Sequence, residues 1–239
     1  MSYYAKILLI AAWALLVTGL GNAAWANVIL DGTRVIYPAG KKEVTVKLTS
    51  QNTRPVLVQS WIDNGDKNKA ASLNVPFVLT PPINRIDGGK GQTLRISYLG
   101  TPALPQDRES MFWLNVLEVP AKAQEEANIS KLSLAFNTRV KLFYRPENLP
   151  GTASEAMENL HWAMKGNGVN VTNPSKYYVS LASIEFKSGG KAMAVKARQI
   201  APGTTEFFEI RDNSVTSVNQ LSYTAVNDFG GFIKLKAKP

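Results

Sequence analysis

Along most of the chain, apolar and polar residues alternate with a period of two. Val44, Val46 and Leu48 are interleaved with Thr45 and Lys47, and Leu94, Ile96 and Tyr98 with Thr93, Arg95 and Ser97. Successive side chains of a strand point to opposite faces, so this alternation predicts strands with one buried and one solvated face, the habit of antiparallel sheets. Turn formers separate the runs: Pro38-Ala39-Gly40, Asp63-Asn64-Gly65-Asp66, Pro81-Pro82 and Asp87-Gly88-Gly89, at the spacing of a β-sandwich. No long helical pattern competes. The strongest break is Arg145-Pro146-Glu147-Asn148-Leu149-Pro150-Gly151, where two prolines and a glycine stop any strand. It predicts a first domain over 27–146, a linker over 147–151 and a second domain over 152–239. The same grammar returns there in Val169-Asn170-Val171-Thr172, Tyr177-Tyr178-Val179-Ser180-Leu181 and Phe232-Ile233-Lys234-Leu235. The expected fold is all-β, two tandem immunoglobulin-like β-sandwich domains.

The first 26 residues break this pattern. Lys6 precedes the apolar run Ile7 to Val17, and Gly19 and Gly21 lead to the small-residue triplet Ala24-Trp25-Ala26. A charged start, a short apolar core and an A-x-A site predict a signal peptide over 1–26, cleaved after Ala26. The run is too short for a spanning helix, which needs about 20 apolar residues, so no integral membrane segment is expected after cleavage. The expected compartment lies outside the cytoplasm.

Composition then narrows the chemistry. The 239 residues hold 27 Lys and Arg against 18 Asp and Glu, a formal charge of +9, with one histidine and no cysteine. Cleavage of the leader removes Lys6 and no acidic residue, so the excess survives almost whole. Without cysteine there is no thiol nucleophile, disulfide or Cys-ligated metal, and one histidine makes no multi-histidine site. His161 sits in Asn159-Leu160-His161-Trp162-Ala163-Met164, an apolar strand-like context that reads as structural rather than catalytic. No G-x-S-x-G, H-E-x-x-H, Walker A or dinucleotide glycine pattern occurs. Glu125-Glu126 and the pair Asp107 and Glu109 read as a solvated loop and a structural ion pair. The basic residues are spread over many strands without an RNP motif, recognition helix or basic arm, which speaks against nucleic acid. No catalytic residue, metal or cofactor is expected.

One strand invites two readings. In Ile129 to Lys141, Leu132, Leu134 and Phe136 share one face, while Lys131, Ser133, Ala135, Asn137, Arg139 and Lys141 share the other. It reads as a core strand, or as an edge strand whose apolar side chains serve a partner. An edge offers unpaired N–H and C=O groups to a second chain, and burying each large side chain is worth about 1.5–3 kcal/mol before ordering costs.

Leu104-Pro105-Gln106-Asp107-Arg108-Glu109-Ser110-Met111-Phe112-Trp113-Leu114-Asn115-Val116-Leu117-Glu118-Val119-Pro120 resembles the signature of the periplasmic chaperones of the chaperone–usher pathway. Thr33-Arg34-Val35, Thr80-Pro81-Pro82 with Arg85, Lys141-Leu142-Phe143-Tyr144-Arg145-Pro146 and Asn227-Asp228-Phe229-Gly230-Gly231 match in order, so the resemblance spans the mature chain. It implies two sandwiches in an L or boomerang with a cleft between them. It also implies a non-enzymatic periplasmic protein that folds and caps fimbrial subunits by donor-strand complementation and hands them to an outer-membrane usher. On the matching positions, the lent strand carries Leu132, Leu134 and Phe136. Arg34 and Lys141 anchor the subunit's C-terminal carboxylate, and Glu109, Arg145 and Asp228 form an interdomain ionic cluster. The short stretch from Ala121 to Ser130 resembles the short-loop branch. Self-association of the free protein stays open. The alternative is a secreted structural or adhesive fibre component, which would need either an incomplete sandwich or a free N-terminal donor extension, whereas Asn27 leads directly into strand-like residues.

Overall fold

The computed structural model describes residues 28–66, 74–119 and 135–239. The expected leader, Leu132, Leu134, Glu125 and Glu126 lie outside the described residues.

Nine strands build the first sandwich: β1 Val28–Leu30, β2 Arg34–Pro38, β3 Glu43–Ser50, β4 Val56–Asp63, β5 Phe77–Thr80, β6 Ile83–Ile86, β7 Gly91–Tyr98, β8 Ser110–Val119 and β9 Phe136–Arg145. One sheet has the order β1-β3-β7-β5 and the other β2-β9-β8-β4-β6. The alternation seen in the sequence is the packing pattern. Val46, Leu48, Leu94 and Ile96 from one sheet meet Val58, Leu114, Val116 and Leu142 from the other in a single buried cluster. Pro81-Pro82, lacking N–H donors, stands where the chain leaves β5 for β6 in the opposite sheet. Tyr37 is fully buried, yet its hydroxyl donates to the Lys42 carbonyl at 2.9 Å and accepts the Tyr98 N–H at 3.0 Å, so this hydroxyl is not stranded.

β1 and β2 belong to different sheets. β1 runs antiparallel to β3, and after a crossing at Asp31–Thr33 the chain re-enters as β2, parallel to β9. Gly32 makes the crossing with φ of 118°, a conformation open to glycine and costly for other residues.

The second sandwich opens with α1, Ala153–Glu158, whose N-cap Thr152 accepts the Glu155 N–H at 3.1 Å. Its strands are β10 His161–Lys165, β11 Gly168–Thr172, β12 Val179–Ser188, β13 Lys191–Lys196, β14 Gln199–Ile200, β15 Thr205–Glu209, β16 Ser222–Val226 and β17 Phe232–Lys236. β10-β11-β15 face β13-β12-β16-β17, with β14 paired to β12. Trp162, Val169, Val171, Ile184, Tyr223 and Ala225 fill the core between them. His161 heads β10 with its side chain exposed, whereas Leu160 and Trp162 are buried. An apolar neighbourhood in sequence thus puts the histidine on the solvated side of the alternation, so it is no packed core residue. Among the described residues, no helix is long and apolar enough to cross a membrane.

Candidate functional site

β9 is covered unevenly. On one side β8 pairs with it from Phe136 to Tyr144, but on the other β2 reaches only Lys141 to Arg145. Among the described residues, no strand pairs the second side of Phe136–Val140, so that stretch is an open edge. The face tells the same story. Val140, Leu142 and Tyr144 lie in the first core, and Phe136, of the same parity, is 57% exposed. The apolar stripe of one strand therefore runs out of the sandwich into solvent. Leu132 and Leu134 continue that parity in sequence but lie outside the described residues.

The open edge ends at two cations. Arg34, the first residue of β2, is the direct lateral partner of Lys141. Each reaches the second sandwich: an Arg34 Nη donates to the Val226 carbonyl at 3.0 Å, and Lys141 Nζ donates to Ser180 Oγ at 2.9 Å. Both are neutral acceptors, and among the described residues the buried Arg34 Nε has no hydrogen-bond partner. Burial holds the Arg34 guanidinium below its ordinary pKa, with Asp228 pulling the other way. Burial, and then repulsion from Arg34, push the Lys141 ammonium down to about 8. Two partly desolvated cations side by side without a carboxylate between them form a site primed for an anion.

This has a consequence for the free protein. Lys141 binds its proton less tightly folded than unfolded, so between pH 8 and its ordinary 10.5 the unfolded state holds more protons and stability rises with pH. The penalty is full below pH 8. Lys141→Met is expected to stabilise the free protein by about 1–2 kcal/mol at pH 7, after allowing for water at the ammonium. The gain should fade by pH 10, as read by thermal unfolding of both proteins across that range; a constant gain would disprove the assignment.

Behind the cations lies an ionic cluster. Arg145 Nε meets Glu109 Oε1 at 2.6 Å, and its two Nη atoms bind Asp228 at 2.7 and 3.0 Å. Glu109 Oε2 accepts the Tyr178 N–H at 2.7 Å. Burial pushes the Glu109 carboxyl up against the pull of Arg145 and that N–H. Arg145 is held above its ordinary pKa because Asp228 and Glu109 outweigh its own burial. Phe143, on the outer face of β9, packs on Tyr178 with ring centroids 5.7 Å apart. The cluster thus ties the residue just before β8 and the end of β9 to the loop before β12 and the turn after β16. Asp107, the other expected carboxylate, is apart from it and lies 3.8 Å from Arg108.

Sequence reasoning missed Ser180, the Val226 carbonyl and Tyr178. A backbone carbonyl has no sequence signature, but Ser180 is a small polar residue inside an apolar run, and at 4% exposure it needs a partner. Also missed was a group two residues up β9. Arg139 donates to Asp63 at 2.6 Å and lies 4.4 Å over the Trp113 ring, while Asn115 binds the other Asp63 oxygen at 2.7 Å. Among the described residues, no group of three or more His, Asp and Glu side chains is placed to hold a metal.

Two family models match the chain. Residues 27–150 match the N-terminal domain of PapD, described as a pili and flagellar-assembly chaperone, and residues 155–237 match the C-terminal domain of the pili assembly chaperone PapD. The chain is 44% identical over 225 residues to the probable fimbrial chaperone YadV of Escherichia coli K12, covering 91% of this chain and 92% of that one. It is 43% identical over 232 residues to chaperone protein FimB/FhaD of Bordetella pertussis, covering 95% and 94%. The crystal structure of the YadV chaperone superposes with a TM-score of 0.73 at 42% identity, over 87% of this chain and 98% of that one. A structure of Salmonella enterica SafA pilin in complex with the SafB chaperone matches with a TM-score of 0.75 at 31% identity, over 89% and 97%.

Proposed function

Because the chain belongs to the pili assembly chaperone family, we propose that it works in the periplasm, binding and capping fimbrial subunits by lending them a strand and delivering them to an outer-membrane usher. It is a fimbrial chaperone of the chaperone–usher type. The observation that carries the finer reading is the half-covered β9, an open edge that ends at the Arg34 and Lys141 pair. A subunit strand adds its backbone hydrogen bonds to that edge, and its groove takes Leu132, Leu134 and Phe136. Its C-terminal carboxylate sits between Arg34 and Lys141, where charge-assisted hydrogen bonds fix a register that a strand ladder alone leaves free to slip. Glu109, Arg145 and Asp228 set how the two sandwiches meet and thereby shape the cleft, with 147–151 as the linker between domains 27–146 and 152–239.

Phe136→Glu tests the lent strand. The side chain is exposed in the free protein, so the variant is expected to fold normally. Recovery of co-expressed fimbrial subunit in a periplasmic pull-down is expected to fall about tenfold or more, the loss of one buried Phe with a charge in its place. Leu134→Glu should do the same. Wild-type recovery with both would move the lent strand elsewhere.

A further inference from the structure

We propose that Phe229 and Phe232 form an apolar platform that reads the side chains nearest the bound subunit's C-terminus, a specificity-determining contact on the second sandwich. It rests on the capping function above and adds what that reading leaves out: which part of the cleft distinguishes one subunit from another.

The placement follows from register. Ser180, Val226 and Phe232 are direct partners across β12, β16 and β17, a row on one face of the sheet. Ser180 holds Lys141 and the Val226 carbonyl holds Arg34, so two members of the row already meet the first sandwich. The third, Phe232, is 72% exposed. Direct cross-strand partners have Cβ atoms about 5 Å apart, which puts this ring one strand beyond the cation pair. Phe229, at 95% exposure, is on the turn that joins the same two strands, three residues before Phe232, and lines a pocket with Arg34, Val226, the ionic cluster and the start of α1, a lining that does not include Lys141 or Phe232.

That turn is held stiffly. Asn227 Oδ1 accepts the N–H groups of Phe229 at 3.1 Å and Gly231 at 2.8 Å, and Asp228 is clamped by Arg145. Gly230 has φ of 83°, and a Cβ there would lie 2.4 Å from Thr33 Oγ1, so the turn sits flush against the first sandwich. A ring almost wholly in water on a fixed mount loses little freedom when covered, the condition for an efficient contact. The occupant follows from continuity with the anchor. A carboxylate between Arg34 and Lys141 brings the last residues of its chain within one or two strand spacings, about 5–10 Å, of this platform. Two phenyl rings favour apolar side chains there and give polar ones nothing in exchange for their water.

Short synthetic peptides of alternating valine and threonine, with an N-terminal lysine pair for solubility, supply the probe. One form carries phenylalanine and another serine at the last and third-last positions; each is made with a free carboxylate and as an amide. By fluorescence anisotropy on the full chain, the phenylalanine form is expected to bind about tenfold tighter than the serine form. In the F229S/F232S variant that preference should fall below about twofold, with an unchanged melting temperature. A preference retained in the variant overturns the proposal, as does its absence in the wild type. Arg34→Ala and the amide arms should weaken both peptides alike. If they weaken neither while the preference stands, the platform holds and the carboxylate anchor falls.

Discussion

Arg34→Ala is expected to cut the recovery of fimbrial subunit from a periplasmic pull-down about a hundredfold while leaving the free protein's melting temperature within a few degrees of wild type. The two halves of that expectation have different causes. In the free protein the guanidinium donates one hydrogen bond to a neutral carbonyl, leaves Nε without a partner and crowds Lys141. Removing it gives up about 1 kcal/mol of hydrogen bonding and relieves a like-charge contact. In the proposed complex the same truncation would leave a sheltered carboxylate half paired, a loss of about 2–5 kcal/mol. Lys141→Ala should behave likewise. Capture at the wild-type level by either variant would mean that the carboxylate is held elsewhere. Subunit affinity should also fall as pH rises through 8, where the free Lys141 ammonium gives up its proton.

Arg145→Ala is expected to do the opposite, damaging the free protein first. The Glu109 side chain is 1% exposed, and among the described residues Arg145 and the Tyr178 N–H are what balance it. Removing the arginine strands a buried carboxylate, for which about 3–5 kcal/mol is typical. Asp228, whose side chain is 32% exposed, is rehydrated at small cost, so Asp228→Asn should lose far less. The double variant Arg145→Met with Glu109→Met should recover much of the loss, because an apolar pair in such a site is often neutral. Urea unfolding of the four proteins checks the order. A cost below about 1 kcal/mol for Arg145→Ala would show that water reaches Glu109.

Much of this was legible in the sequence because one face of each sheet is buried. Val44, Val46 and Leu48 on β3 and Leu94 and Ile96 on β7 announce their strands by alternation alone. The site was legible in part. Lys141-Leu142-Phe143-Tyr144-Arg145 breaks the alternation, and the reason is burial on both faces: Leu142 and Tyr144 face the first core while Phe143 faces Tyr178 of the second sandwich. That break marks where the sandwiches meet. By contrast, the pairing of Arg34 with Lys141 depends on a parallel register between strands about a hundred residues apart, and such pairings leave no local pattern. The side that His161 takes was not legible either, because an apolar neighbourhood does not say which face of a strand a residue occupies.

The crossing at Gly32 has a meaning beyond the local turn. It is where the chain's own strand begins to occupy the flank of β9, so under the proposed function it is also where a guest strand stops. On the proposed function the guest is positioned from its end: the zero mark is a backbone crossing, with Arg34 and Lys141 beside it. A carrier with its ruler set this way can serve cargos that differ away from their ends, provided each finishes in an extended strand, a free carboxylate and side chains that suit the Phe229 and Phe232 platform. Lengthening β2 by even two residues would shorten the usable edge by the same amount and shift every cargo side chain relative to the lent strand.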